Sequence, residues 1–199
     1  MRLARLKAPG GLQNIRFVDE DRPVPGPGQL LVRIRASSLN FHDDMLILGK
    51  IPCTDGRIPM TDGAGEVISV GENAEEFKVG DNVVSTFWPY WWGGEMTSAT
   101  RREIPGDTID GYASEFVCMP EHAFTKAPAG YTHVEAATLP CAAVTAWRGL
   151  VVCGRVKPGD TVLTLGTGGV SIFALQFAKA GGPGTVFQSD PQQRDLCRQ

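Results

Sequence analysis

Short alternating runs of apolar and polar residues fill the first two thirds of the chain, and the period changes to a helical one beyond Thr132. Leu30 to Ile34, Gly65 to Val70, Asp81 to Thr86 and Ala113 to Met119 predict β-strands, because alternation puts their apolar side chains on one face of a pleat. Turn residues separate them. Pro25-Gly26-Pro27-Gly28 precedes the first run, and Gly71-Glu72-Asn73 and Lys78-Val79-Gly80-Asp81 punctuate the next. The pattern predicts an antiparallel, barrel-like β domain with irregular loops. Between Phe87 and Gly111 the alternation fails, and Trp88, Tyr90, Trp91 and Trp92 gather among glycines and charges. That stretch predicts a long loop, and Trp88, Tyr90 and Trp92 are candidate walls of an apolar or aromatic substrate pocket.

Thr132 followed by Glu135 predicts a capping box, opening a helix whose apolar residues run to Pro140. A second helix is expected over Ala142 to Cys153. Lys157-Pro158-Gly159-Asp160 then turns the chain into the β-type run Val162-Leu163-Thr164-Leu165. Behind this run come Gly166-Thr167-Gly168-Gly169-Val170-Ser171, a helix through Ile172, Leu175 and Lys179, a glycine-rich stop, and a second strand from Thr185 to Asp190. The fold class is therefore mixed α/β, with residues 1–127 forming the β domain and 128–199 the linking helices and the start of a parallel sheet.

The strand–glycine–helix layout is that of a dinucleotide-binding loop. A diphosphate needs backbone N–H groups aimed at it, the positive end of a helix behind it and no Cβ in the way. Gly166, Thr167, Gly168, Gly169 and Val170 are the candidate cofactor-binding residues, and Ser171 is small enough for helix and strand to pack closely. Asp190 stands 24 positions after Gly166, close to the roughly 20-residue offset at which a carboxylate accepts hydrogen bonds from the adenosine ribose. It favours NAD over NADP, although Arg194 lies near.

With 199 residues and 42% hydrophobic content, the chain has ample material for a packed core. A net charge of −3, with no basic cluster beyond Arg101-Arg102, gives no footprint for nucleic acid. No segment reaches the roughly 18 apolar residues of a membrane span, and the first 17 residues lack a signal-type apolar core. The five cysteines, Cys53, Cys118, Cys141, Cys153 and Cys197, form no C-x-x-C pair. A cytoplasmic protein with a small-molecule substrate and no nucleic-acid or membrane partner is expected.

The order of motifs adds a resemblance. Leu39-Asn40-Phe41-His42-Asp43-Asp44, Asp62-Gly63-Ala64-Gly65-Glu66-Val67, Val79-Gly80-Asp81-Asn82-Val83, Leu139-Pro140-Cys141-Ala142-Ala143-Val144-Thr145-Ala146-Trp147 and Gly166-Thr167-Gly168-Gly169-Val170-Ser171 resemble the medium-chain dehydrogenase/reductase superfamily. The likeness is to its zinc-independent alcohol dehydrogenase and quinone oxidoreductase-like branch. It implies a GroES-like substrate domain followed by a Rossmann domain, with NAD(P)H in the cleft between them. Zinc-bearing relatives carry cysteine, histidine and cysteine where this chain has Asn40, Thr61 and Cys141, and the lobe that holds their structural zinc is replaced by the cysteine-free Trp88 to Gly111 loop. An amide and a hydroxyl do not replace an imidazole and a thiolate, so the resemblance implies no metal at either site.

Without a Lewis acid, hydrogen-bond donors must polarise the substrate carbonyl. The resemblance implies that Asn40 donates an amide N–H, that His42 donates or shuttles a proton, and that Asp43 orients the loop or holds the histidine. It implies as well that Thr145 lies beside the nicotinamide and that Asp62 organises backbone. The expected activity is hydride transfer between NAD(H) or NADP(H) and a small alcohol, aldehyde, ketone or quinone. Reduction of an activated C=C bond and a non-catalytic scaffold remain alternatives. Only two strands of a roughly six-stranded nucleotide sheet are written here, which predicts a truncated form with poorly covered apolar faces. The resemblance implies that a full-length form can assemble as a homo-oligomer.

Overall fold

Alternation from Gln29 to Ala36 becomes β3, the central strand of the first unit, in the computed structural model, which describes residues 1–91, 93–182 and 184–189. β3 pairs antiparallel with β4 (Ala64–Val70) on one side and β6 (Phe116–Pro120) on the other. β5 (Asn82–Ser85) and β7 (Phe124–Lys126) extend the sheet, giving the order β6-β3-β4-β5-β7. A separate hairpin joins β1 (Arg2–Leu6) to β2 (Ile15–Asp19), two strands the alternation did not predict.

Side chains of one face build the core. Leu30, Val32, Val67, Val83, Val117, Met119, Tyr112 and Phe124 are buried together, and Val32 lies opposite both Val67 and Val117 in register. Each such side chain contributes roughly 1.5–3 kcal/mol on leaving water. Gly63 and Gly65 are needed for close approach. A Cβ on Gly63 would stand 2.6 Å from the Tyr112 ring, and one on Gly65 would run into the Arg33 carbonyl across the sheet.

Helix α1 (Phe41–Ile47) starts at Asn40 and buries Leu46 and Ile47 against Leu6. Helix α2 (His133–Ala136) opens on the expected capping box, with the Thr132 and Glu135 side chains each accepting from the other's backbone N–H. It stays with the sheet, where Ala136 and Ala137 pack on Ala64 and Val84. Beyond it the helix widens into a π turn over Leu139–Ala143. Pro140 supplies the reason: its ring removes an N–H donor and collides with the carbonyl one turn back.

The chain divides into two compact units, Met1–Cys141 and Ala142–Gln199. In the second, α3 (Val144–Trp147) passes into a π-helical stretch over Arg148–Cys153, so the single helix expected there is irregular. β8 (Thr161–Leu165), α4 (Gly169–Gly181) and β9 (Thr185–Ser189) follow as a β–α–β unit whose strands pair parallel, Thr161 opposite Thr185 and Leu165 opposite Ser189. Gly182 closes α4 in the left-handed conformation at φ 72°. Much apolar surface stays uncovered here. Leu163, Leu165 and Phe187 are 62%, 68% and 56% exposed, where strands of a doubly covered parallel sheet are ordinarily buried. Among the described residues no helix is long and apolar enough to cross a membrane.

Candidate functional site

Asn40 ends an extended stretch and caps α1, and the motif it opens folds back on itself. Its backbone N–H donates to Asp43 Oδ2 at 2.8 Å, and the other oxygen of Asp43 accepts from the Thr61 N–H at 2.9 Å. The Asn40 amide nitrogen donates twice, to Thr61 Oγ1 at 3.1 Å and to Asp62 Oδ2 at 2.9 Å. Asp62 Oδ2 also accepts from the Cys141 N–H at 3.4 Å. Three segments that are far apart in sequence, residues 40–43, 61–62 and 141, thus meet at one buried polar knot.

Burial sets the electrostatics of the knot. Asp62 is pushed up to about 7 by desolvation, against the lowering effect of its bonds from Asn40 and Cys141. Asp43 is raised by the same cause, opposed by its bonds from Asn40 and Thr61. The Cys141 thiol is pushed up to about 12, by desolvation first and by the neighbouring Asp62 and Asp43 charges second. Asp62 and Asp43 are almost wholly enclosed, and their bonds tie the Asn40 segment to residues 61–62 and 141. Both Asn40 amide hydrogens are committed within the knot, leaving none for the substrate oxygen that the resemblance implies.

His42, the second residue of α1, is the half-exposed titratable group here. The resemblance offers Asp43 as its holder, but the partner is Asp107, whose Oδ2 lies 3.0 Å from His42 Nε2. Asp43 is engaged with Asn40 and Thr61 instead. Nothing in the sequence pairs His42 with a residue 65 positions away; the only local signal is the turn triplet Pro105-Gly106-Asp107. Phe87 meets the imidazole edge-on at 5.8 Å, Trp88 meets Phe87 at 5.3 Å and Trp91 follows Trp88 at 5.8 Å. Trp88 therefore belongs to the histidine's aromatic wall. Tyr90 belongs elsewhere, with its ring 4.9 Å from His122 and beneath the Arg102 guanidinium at 4.2 Å. Trp92 lies outside the described residues.

In the second unit, β8 delivers the chain into Gly166 at φ 82°, a conformation that favours glycine. Gly168 precedes the first turn of α4, and no side chain caps it. A Cβ placed on Gly166 or Gly168 would meet no atom within 4 Å, whereas one on Gly169 would press the Ala142 methyl at 3.3 Å. The Ser171 hydroxyl donates to the Leu165 carbonyl at 2.6 Å and ties turn to strand. Thr167 and Val170 are exposed on this turn. Thr145, on α3, is also exposed, two residues before Trp147, whose ring meets Phe177 edge-on at 5.5 Å. Asp190 and Arg194 lie outside the described residues.

The alcohol dehydrogenase GroES-like domain family matches residues 26–129, just over half of the chain. That span holds the Asn40 knot, His42 and Asp107. The chain belongs to the medium-chain dehydrogenase/reductase superfamily. Among its relatives is a zinc-type alcohol dehydrogenase-like protein of Schizosaccharomyces pombe, 42% identical over 88% of this chain and 53% of that protein. A mycocerosic acid synthase-like polyketide synthase of Mycobacterium tuberculosis is 36% identical over the whole of this chain and 8% of its own length. An NAD-dependent alcohol dehydrogenase of solved structure superposes with a TM-score of 0.84 at 31% identity, covering all of this chain and 60% of that one. The chain spans about half the length of the dehydrogenase relatives it matches. Members of this superfamily are alcohol dehydrogenase-like oxidoreductases.

Proposed function

We propose that these residues supply the substrate-handling domain and the diphosphate-binding turn of an NAD(P)-dependent oxidoreductase that works without catalytic zinc, on a small carbonyl, alcohol or quinone. The observation that carries the reading is the turn after β8. Gly166 and Gly168 leave open space where a Cβ would stand, no side chain caps the start of α4, and a helix N-terminus attracts a phosphate anion. The turn fits a dinucleotide diphosphate, with Gly166 to Val170 holding it. The bound coenzyme would give or accept the hydride.

The donor set at the polar knot does not fit zinc. Asn40 turns its amide nitrogen, a non-ligand, toward Thr61 and Asp62, and Thr61 offers a hydroxyl, which leaves Cys141 as the one soft donor where zinc takes three protein ligands. In this reading Asn40, Asp43, Thr61 and Asp62 fix the start of α1, His42 handles the substrate proton, and Trp88 walls the pocket beside it. Thr145 stands by the nicotinamide. The likeness to a polyketide synthase across the whole chain favours a second reading, reduction of a conjugated C=C bond by the same coenzyme. The scaffold alternative gains nothing from an open glycine turn.

Turnover decides between them. Oxidation of NADH or NADPH by this chain is to be followed against aldehydes, quinones and enones, with and without a strong chelator. Reduction of one class, unchanged by the chelator, is the expected result. Chelator-abolished turnover would contradict the zinc-free assignment, and no turnover in any class would favour the scaffold.

A further inference from the structure

The polar knot holds the start of α1, but the residue that orients the imidazole comes from another segment, and that segment is built to be stiff. Between Ile104 and Ile109 the chain closes a compact turn. The N–H groups of Asp107, Thr108 and Ile109 converge on the Ile104 carbonyl at 3.0–3.2 Å, the Gly106 N–H donates to Ile109 O at 2.9 Å, and Thr108 Oγ1 accepts from the Ile104 N–H at 2.7 Å. Arg57 anchors the turn from outside, through Asp110 Oδ1 at 3.0 Å and the Thr108 carbonyl at 2.7 Å. The chain then returns along residues 58–60, with Gly111 N–H to Ile58 O at 2.8 Å and Tyr112 N–H to Met60 O at 3.0 Å. Thr61 and Asp62 of the knot come next in sequence. The loop and the knot therefore share one rigid strip of backbone.

We infer that Asp107 is a positioning residue for His42, forming with it an imidazole–carboxylate dyad that presents Nδ1 as the proton-transfer atom of the oxidoreductase site. The inference rests on the proposed hydride-transfer function. A carboxylate has only acceptors to offer, and a neutral imidazole has one donor and one acceptor nitrogen. With Asp107 Oδ2 at 3.0 Å from Nε2, the hydrogen sits on Nε2 and the lone pair on Nδ1. Phe87, edge-on at 5.8 Å, fixes the ring plane from the side. In alcohol oxidation Nδ1 would take the O–H proton and become imidazolium, while an oxidised nicotinamide, held by Gly166 to Val170, would supply the acceptor for the C–H hydride as the carbonyl forms. In reduction the same proton returns to the oxygen. Asp107 stabilises the imidazolium in both directions and never touches substrate.

Proton NMR of the ¹⁵N-labelled chain tests the dyad, and only three histidines contribute, His42, His122 and His133. The expected signal is a downfield, exchange-protected Nε2–H resonance assigned by its loss in His42→Ala. It is expected to vanish in Asp107→Ala with the rest of the spectrum retained. Kinetics give the second readout. Asp107→Ala is expected to lower kcat about 10- to 100-fold with little change in KM, and to add nothing in a His42→Ala background. Absence of the resonance in the parent chain overturns the dyad, as does an equal loss of rate from Asp107→Ala with and without His42. If the resonance is present and no substrate turns over, the oxidoreductase reading fails while the hydrogen bond stands. If turnover is present and the resonance absent, the reverse holds.

Discussion

Asp62 is fully enclosed, with Oδ2 held by Asn40 and Cys141 and Oδ1 meeting no protein donor among the described residues. Desolvation of its charged form pushes it up to about 7 from 3.8. Between those values the folded chain binds a proton that the unfolded chain has lost, so stability is greatest on the acid side and falls as pH rises through 7. Asp43, raised by the same cause, adds to the trend with the same sign. The loss attributable to Asp62 is on the order of 4 kcal/mol. Asp62→Asn keeps the shape and an acceptor for Asn40 but cannot ionise. Urea denaturation from pH 5.5 to 8.5 is expected to show the parent chain weakening and the variant nearly level, with the variant the more stable at pH 8.5. A parent chain that strengthens across this range would contradict the account. Asn40 Nδ2 spends a donor on Asp62 Oδ2 at 2.9 Å.

At the scale of elements, the turn joining β8 to α4 separates a folding role from a binding role glycine by glycine. Gly168 has φ −74° and open space where its Cβ would be, so Gly168→Ala costs the fold less than about 1 kcal/mol. In the proposed function the same methyl would stand where phosphate oxygens approach. Calorimetric titration is expected to show nucleotide affinity down at least tenfold, about 1.4 kcal/mol, with an unshifted thermal midpoint; equal affinity would remove the turn from the binding site. The four alternating runs, the Thr132 capping box and the glycine turn were legible because each depends on neighbours in sequence. β1 and β2 were not, since Arg2–Leu6 and Ile15–Asp19 carry charges on both faces and declare themselves only by pairing. The helix expected across Ala142 to Cys153 kept its place and lost its regularity, widening to π geometry over Arg148–Cys153, which periodicity does not encode. His42 was visible by motif, but Asp107 was not, because a contact spanning 65 positions leaves no local pattern.

For the whole molecule, the proposed function would divide one reaction between the two units, proton handling at His42 in Met1–Cys141 and coenzyme binding at Gly166 to Val170 in Ala142–Gln199. The exposure of Leu163, Leu165 and Phe187 is the apolar surface that a parallel sheet of this class ordinarily covers with further helices and strands. Coenzyme binding therefore stands as the claim on which the functional account depends. Titration of NADH into the chain, followed by nicotinamide fluorescence, tests it directly. Saturable binding of one equivalent, displaced by NAD, is the predicted result; a folded chain that binds neither NADH nor NADPH up to about 1 mM, a free energy weaker than about −4 kcal/mol, would contradict it.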